Sequence, residues 1–452
     1  MTYSGQSLKR FEDYQLLTGQ GSFVDDIKLP GMLHALVLRS PHAHARIRSI
    51  NTTDALSLPG VAVVITAADI EGAISDPPAR REQEGHDNRA PEHPVLAKDK
   101  VCYVGQPVAV VVADDLRQAR EALDLIQVDY EALPAIIDPL EATGEDALVI
   151  HQEMDTNVAM RVSHTGGDLE AAFAQADHVV RQQYQVQRLA PAPMETRGLV
   201  ADYQRGEDLL TVWDSTQHPH SVKDRLARLL NRPEGSLRVI APDVGGGFGE
   251  KGSFFPEEVA VPYLSILLER PVKWVEDREE NMLAFHGRGH SVDMEVAVKS
   301  DGTILGMRVN IVSDLGAYFM AGTTTVPLLT SYRLVGPYRT PAARVELLGV
   351  LTNKPRTGPY RGAGGPEAAF CMERTIDLIA QDLDLDPAEV RLRNFITPES
   401  FPYETPTGLT YDSGNYAQAL DRALELSDYH SWRAQTRQGR GHGQPLIGIG
   451  LA

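Results

Sequence analysis

Three apolar runs of strand length mark the first part of the chain: MLHALVL at 32–38, VAVVIT at 61–66 and QPVAVVVAD at 106–114. The stretch that follows, DLRQAREALDLI at 115–126, spaces its apolar residues three and four apart and predicts a helix. Together these predict a small α/β unit. Between the second and third runs lies SDPPARREQEGHDNRAPEHP (75–94), a polar, proline-containing loop able to cover or contact something beyond the unit. DPLEATGEDA (138–147) fits neither period and places a boundary near residues 140 to 155.

A second region opens with HVVRQQYQVQ (178–187), whose period of two predicts a strand, and continues through LLTVWDST (209–216), the helix-like HPHSVKDRLARLLN (218–231) and SLRVIAPDV (236–244). Further on, SVDMEVAVKSDGTILGMRVNIVSD (291–314) carries two alternating runs around Asp-Gly, the signal of an antiparallel hairpin. The alternation of strand and helix signals predicts an α/β layered fold with mixed sheets.

Two segments share one plan. DVGGGFGEKGSFFPEE (243–258) follows a strand, has five glycines in its first ten residues and leads through Pro256 into a helix. VELLGVLTN (345–353) leads through GPYRGAGG (358–365) to Pro366-Glu367 and an apolar-striped helix. The pairing suggests one ligand gripped from two sides, although Gly and Pro also serve as simple punctuation between elements. Gly247, Gly249 and Gly252 match G-x-G-x-x-G, and Glu276 or Asp277 stands where a ribose-binding acid would. That reading needs a helix to begin inside the fingerprint, whereas Pro256 starts it four residues later. A flavin- or NAD-dependent oxidoreductase is therefore the alternative reading of residues 247–252.

The length of 452 residues argues for two or three units. A formal charge of -19, from 43 basic and 62 acidic residues, argues against nucleic acid as a partner. No run of 18 apolar residues occurs and the start MTYSGQSLKR lacks a signal peptide's apolar region, so no membrane span and a cytoplasmic location are expected. Cys102 and Cys371 are the only cysteines, too few for a thiolate-held iron–sulfur cluster, which would have to sit on another chain.

RFEDYQLLTGQGSFVDDIKLPGMLHALVLRSPHAHARI, VCYVGQPVAVVVADD, STQHPH, GGGFGEKG, PYRGAGGPEA and DPAEVRLRNF occur in this order over nearly the whole chain. Together they resemble the large, molybdenum-cofactor-binding subunit of the xanthine dehydrogenase, aldehyde oxidase and carbon monoxide dehydrogenase family. The resemblance implies a hammerhead-like domain over 1–145, a first molybdopterin-binding domain over 146–398 and the start of a second over 399–452. It implies molybdenum held by molybdopterin, in its cytosine dinucleotide form, with no side-chain metal ligand. Cofactor contacts would map onto Gln217, onto Gly246, Gly247, Phe248 and Gly249, and onto Arg361, Gly362 and Ala363.

Departures from the family narrow the substrate. Gly252 stands where purine-oxidising members have Glu, Ala363 replaces a stacking aromatic residue, and Glu250 occupies a usual glycine, so Glu250, Gly252 and Ala363 are the candidate substrate-pocket residues. The second loop lacks the Cys that binds copper in carbon monoxide dehydrogenases, and Cys371 lies eight residues beyond Ala363. No G-x-x-G-E follows the two loops, so no catalytic residue is expected in this chain. LIGIGLA (446–452) reads as the strand that opens the next domain. The general-base Glu would come from a second molybdopterin-binding chain or a C-terminal half, and the chain alone would be inactive.

The implied enzyme is a hydroxylase that oxidises an aldehyde or N-heterocycle with water as oxygen source and passes electrons to [2Fe-2S] and FAD subunits. A non-catalytic structural subunit is the further alternative. Other chemistry-bearing residues have plainer readings: His42 and His44 as packing, His218 to His220 as a turn into a helix, Cys371 and Met372 as core, and Glu195 as an acceptor for backbone N–H groups.

Overall fold

The computed structural model describes residues 3–76, 87–88, 91–320, 322–437 and 447–452. Most of the polar loop at 75–94 thus lies outside the described residues.

Strands β1 (Leu33–Arg39), β2 (Ala45–Asn51), β3 (Val61–Thr66), β4 (Pro107–Ala113) and β5 (Gln127–Ala132), with helix α1 (Leu116–Leu123), form the N-terminal part. Asp115 caps α1 by accepting the N–H of Gln118. All seven residues of β4 are buried, because it is covered on both faces. Ala109, Val111 and Ala113 pack on Ala119 and Ala122 of α1. Val110 and Val112 point the other way, into a cluster with Leu199, Val272 and Trp274.

That second cluster reveals what the sequence did not. Strands β6 (Val158–Gly166), β7 (His178–Leu189), β8 (Gly198–Gln204), β9 (Leu209–Asp214), β10 (Leu237–Ile240) and β11 (Val272–Val275) come next, with helices α2 (Pro219–Leu229) and α3 (Glu257–Leu268). A seven-stranded sheet runs β10-β9-β8-β11-β1-β4-β3, and β1 pairs in parallel with β11, Leu33 opposite Val272. One sheet therefore joins strands from both sides of the sequence break near residue 145.

A second sheet is built from β6, β7, β12 (Gly287–Val298), β13 (Ile304–Gly316) and β14 (Ala343–Leu351), with the short pair Asp87–Asn88 at its edge. The Asp-Gly signal holds: β12 and β13 are an antiparallel hairpin that turns at Gly302, φ +84. Helices α4 (Arg278–Ala284), α5 (Thr325–Arg333) and α6 (Gly365–Asp382) follow their strands, and Cys371, Met372, Ile376 and Ile379 of α6 sit in the core over this sheet. Cys371 and Met372 are core residues, as read.

Helix α7 (Pro387–Asn394) leads to α8 (Tyr416–Leu426) and α9 (Tyr429–Arg437). Residues 447–452, expected as strand, have no regular structure. They lie against the α7–α9 cluster, with the Arg391 guanidinium donating to the Leu451 carbonyl at 2.8 Å. Among the described residues no helix is long and apolar enough to cross a membrane.

Leu33 is fully buried where the two halves of the seven-stranded sheet meet. Leu33→Ala is expected to lose about 3 kcal/mol of stability and to shift a single urea transition that includes both halves; two separate transitions would contradict the shared core.

Candidate functional site

The first glycine loop leaves β10 and makes one 3₁₀ turn, Glu250–Gly252, before α3 starts at Glu257 with Pro256 as its N-cap. No helix begins inside G-x-G-x-x-G, so no row of helical N–H groups faces a pyrophosphate there. This overturns the dinucleotide alternative.

What the glycines allow is close approach. A Cβ on Gly247 would lie 2.6 Å from Gln217 Oε1, and one on Gly249, φ +108, would lie 2.2 Å from the Pro359 carbonyl oxygen. The missing side chains bring the loop against the Ser215–His218 segment on one side and the second glycine loop on the other. Gln217 fixes the first contact: its Oε1 accepts the Gly249 N–H at 2.9 Å, and its own N–H donates to the Lys251 carbonyl at 2.9 Å. Its side-chain nitrogen has no acceptor among the described residues. The second contact is backbone to backbone, with the Arg361 N–H donating to the Phe248 carbonyl at 2.8 Å.

The junction also carries donors without acceptors. The N–H groups of Gly246, Gly247, Phe248 and Gly362 find no acceptor among the described residues, and the Arg361 guanidinium is exposed without a partner. Phe248 (φ +53) and Ala363 (φ +35) take left-handed backbone, which strains a residue with a Cβ. Several unpartnered N–H donors beside one cation suit an anion bearing several oxygens. Among the described residues no three of His, Cys, Asp or Glu are grouped to hold a metal ion. A metal placed here would bring its own ligands, and the residues present fit the anionic oxygens of such a group.

Glu195 holds the loop from below. Its Oε2 accepts from Ser215 Oγ at 2.6 Å, the Gly245 N–H at 2.7 Å and Lys251 Nζ at 2.8 Å. This is the backbone-satisfying role expected of it. Lys251 is fully buried; burial lowers its pKa and the Glu195 carboxylate opposes that shift.

Glu250 departs from the expected position in a substrate pocket. Its side chain turns into the protein and is fully buried, because α4 and Arg197 supply partners there. Asn281 Nδ2 donates to Glu250 Oε1 at 2.7 Å and to Glu276 Oε2 at 2.9 Å, while Arg197 Nε lies 3.7 Å from Glu250 Oε1. Burial raises the Glu250 carboxyl to about 7 against the pull of Arg197. Arg197 is the hub: it pairs with Glu276, lies 3.3 Å from Glu257 Oε2 and stacks 3.7 Å over the Phe255 ring. Burial also pushes Glu257 up, but Arg39 and Arg197 outweigh it and hold it near 2. Asp214, next to the Ser215–Gln217 segment, is pushed far up by burial and by Glu258 beside it. Sequence reasoning missed Arg197 and Asp214; their only signal was a charge set within otherwise apolar strand ends.

The remaining candidates are dispersed. Gly252 backs onto the His218 ring, 3.2 Å from where its Cβ would be, and Ala363 lies in the second loop, half-buried. His218 is the N-cap of α2, with Pro219 in the first turn. His44 Nδ1 bonds the Pro134 carbonyl at 2.6 Å and His42 packs 4.9 Å from the Tyr130 ring, so neither joins the junction.

Two outcomes follow from this geometry. Gly249→Ala forces a Cβ onto the Pro359 carbonyl in left-handed backbone and is expected to cost about 1–3 kcal/mol, read as a lower urea midpoint; an unchanged midpoint would refute the close contact. Because the folded chain binds the Glu250 proton more tightly than the unfolded chain does, this residue's contribution to stability falls as pH rises from 4.5 through about 7. Glu250→Gln is expected to flatten the decline over that window in pH-dependent unfolding, and an unaltered slope would show that Glu250 is not buried as a protonated acid.

Residues 150–395 match the family model described as "Molybdopterin cofactor-binding domain", and residues 18–134 match "Aldehyde oxidase and xanthine dehydrogenase, a/b hammerhead domain". The chain is 40% identical over 452 residues to the nicotine 6-hydroxylase large subunit of Paenarthrobacter nicotinovorans, covering 99% of this chain and 55% of that protein. It is 33% identical over 440 residues to the nicotinate dehydrogenase large molybdopterin subunit of Eubacterium barkeri, covering 95% of this chain and 98% of that one. The solved structure of quinoline 2-oxidoreductase from Pseudomonas putida 86 superposes with a TM-score of 0.92 at 38% identity, covering 96% of this chain and 55% of that one. The chain thus spans about half the length of some of its relatives and nearly all of another. With the hammerhead and the cofactor-binding matches in that order, the chain belongs to the aldehyde oxidase and xanthine dehydrogenase family of molybdopterin-binding subunits.

Proposed function

We propose that this chain is the molybdenum-cofactor-binding subunit of a multi-subunit hydroxylase that oxidises an N-heterocycle or aldehyde with water as oxygen source. The observation that carries the reading is the junction of the two glycine loops, where Arg361 N–H meets the Phe248 carbonyl and a set of neighbouring N–H donors has no acceptor among the described residues. The bound molybdopterin group would supply the redox chemistry. The chain supplies placement: Gln217 Nε2 and the N–H groups of Gly246, Gly247 and Phe248 would donate to its oxygens, and Gly249 lets the two loops come close. Arg361 adds a positive charge from the second loop, with Gly362 and Ala363 beside it.

Gly252 and Ala363 are small and the Glu250 side chain is turned away, so these three positions offer a purine neither a charged anchor nor an aromatic stacking face. Nicotine and quinoline, which appear in the names of two relatives, are N-heterocycles and favour that half of the substrate class. Cys102 and Cys371 are buried, free and only two in number, which supports placing [2Fe-2S] centres, and with them FAD, on partner chains. Exposed Phe248, and exposed Met194 next to Glu195, give the first loop a partly apolar face. A second molybdopterin-binding chain or segment would cover that face and bring the general-base Glu, and the assembly would work in the cytoplasm.

In the purified assembly, Arg361→Ala is expected to lower kcat by about tenfold or more while thermal unfolding stays unchanged, since the side chain has no partner in the fold. Full activity in that variant would remove Arg361 from the site.

A further inference from the structure

The geometry points to Arg288 as a positioning residue: a left-handed arginine whose guanidinium fixes the backbone from which the Arg361 side chain emerges. The inference rests on the proposed function for its purpose, though the contacts exist without it.

Arg288 sits between two glycines in HGRGH (286–290), at the start of β12, with φ +65. Glycine would adopt that conformation without strain, so a long side chain is kept there against a local cost. Its contacts all go one way. Nη1 lies 2.8 Å from Glu367 Oε1 in the first turn of α6, Nη2 donates to the Arg361 carbonyl at 3.3 Å, and the guanidinium lies 4.9 Å from the centre of the Tyr360 ring. From another side Arg333 Nη1 donates to the Ala363 carbonyl at 3.3 Å.

Arg361 is thereby held at both ends of its backbone, its N–H by Phe248 of the first loop and its C=O by Arg288. Its side chain has no partner and takes its direction from that backbone. The plainer role for Arg288 would be to neutralise Glu367, which is buried. The two roles separate on chemistry, because a lysine can pair with Glu367 as a point charge but lacks the planar fork that also reaches the Arg361 carbonyl.

The test is amide hydrogen exchange at Arg361 in the full chain, with thermal unfolding measured beside it. Arg288→Lys is expected to keep the wild-type melting temperature within a few degrees while exchange at Arg361 quickens about fivefold and exchange in the interior of α6 stays unchanged. A second variant, Arg288→Met with Glu367→Gln, removes both members of the buried pair so that no unpaired charge remains, and is expected to quicken the same amide. Wild-type protection at Arg361 in either folded variant would overturn the proposal and leave Arg288 as a counter-ion alone. In the assembled enzyme, Arg288→Lys is expected to lower kcat with molybdenum content retained; because exchange needs no cofactor, failure of the cofactor reading would leave the exchange result standing.

Discussion

The hydrogen bond between the Arg361 N–H and the Phe248 carbonyl, 2.8 Å long, joins two loops that lie more than a hundred residues apart in the chain. Neither loop is held by regular structure at that point, so their relative position depends on how near two bare backbones can come. Gly249 sets the limit, because the Pro359 carbonyl occupies the volume any Cβ would need. From this one contact follow the closeness of the two loops and the placing of the unpartnered N–H donors, Gln217 and Arg361 beside one another.

A loop with so few side chains cannot hold itself, and its support lies beneath. Glu195, Ser215 and Lys251 tie its first residues to the strand end at Asp214, and Arg197 ties Glu250, Glu257 and Glu276 to one guanidinium. Buried ions are costly unless every charge finds a partner. Here the cations are outnumbered, and burial raises the Glu250 carboxyl to about 7 and pushes Glu258 up as well. Removing Arg197 would leave the carboxylates of Glu257 and Glu276 without that partner close to the loop, which gives the network a strong hold on a single loop position.

Much of the fold was legible because strand and helix periods are local. VAVVIT is strand β3 over the same six residues, Pro256 does mark the start of α3, and the Asp-Gly turn does join β12 to β13. What was not legible is what depends on distant pairing. The parallel match of Leu33 with Val272 puts the N-terminal unit and the following region into one sheet, and no local pattern announces it. That Gln217 and Glu195 lie against the first glycine loop was legible through motif order, but Glu250 was misplaced because sequence does not say which side of a glycine loop a side chain takes. Arg197 and Arg288 were invisible for the same reason: their partners are brought to them only by the fold.

The central claim is that the two glycine loops form one wall of a molybdenum cofactor site. Anomalous diffraction at the molybdenum edge, from crystals of the complete assembly, tests it directly. The account predicts a single molybdenum peak per copy of this chain, facing the Phe248–Arg361 junction with the Gln217 side chain beside it. A peak elsewhere, or an active assembly with no molybdenum at that junction, would contradict it.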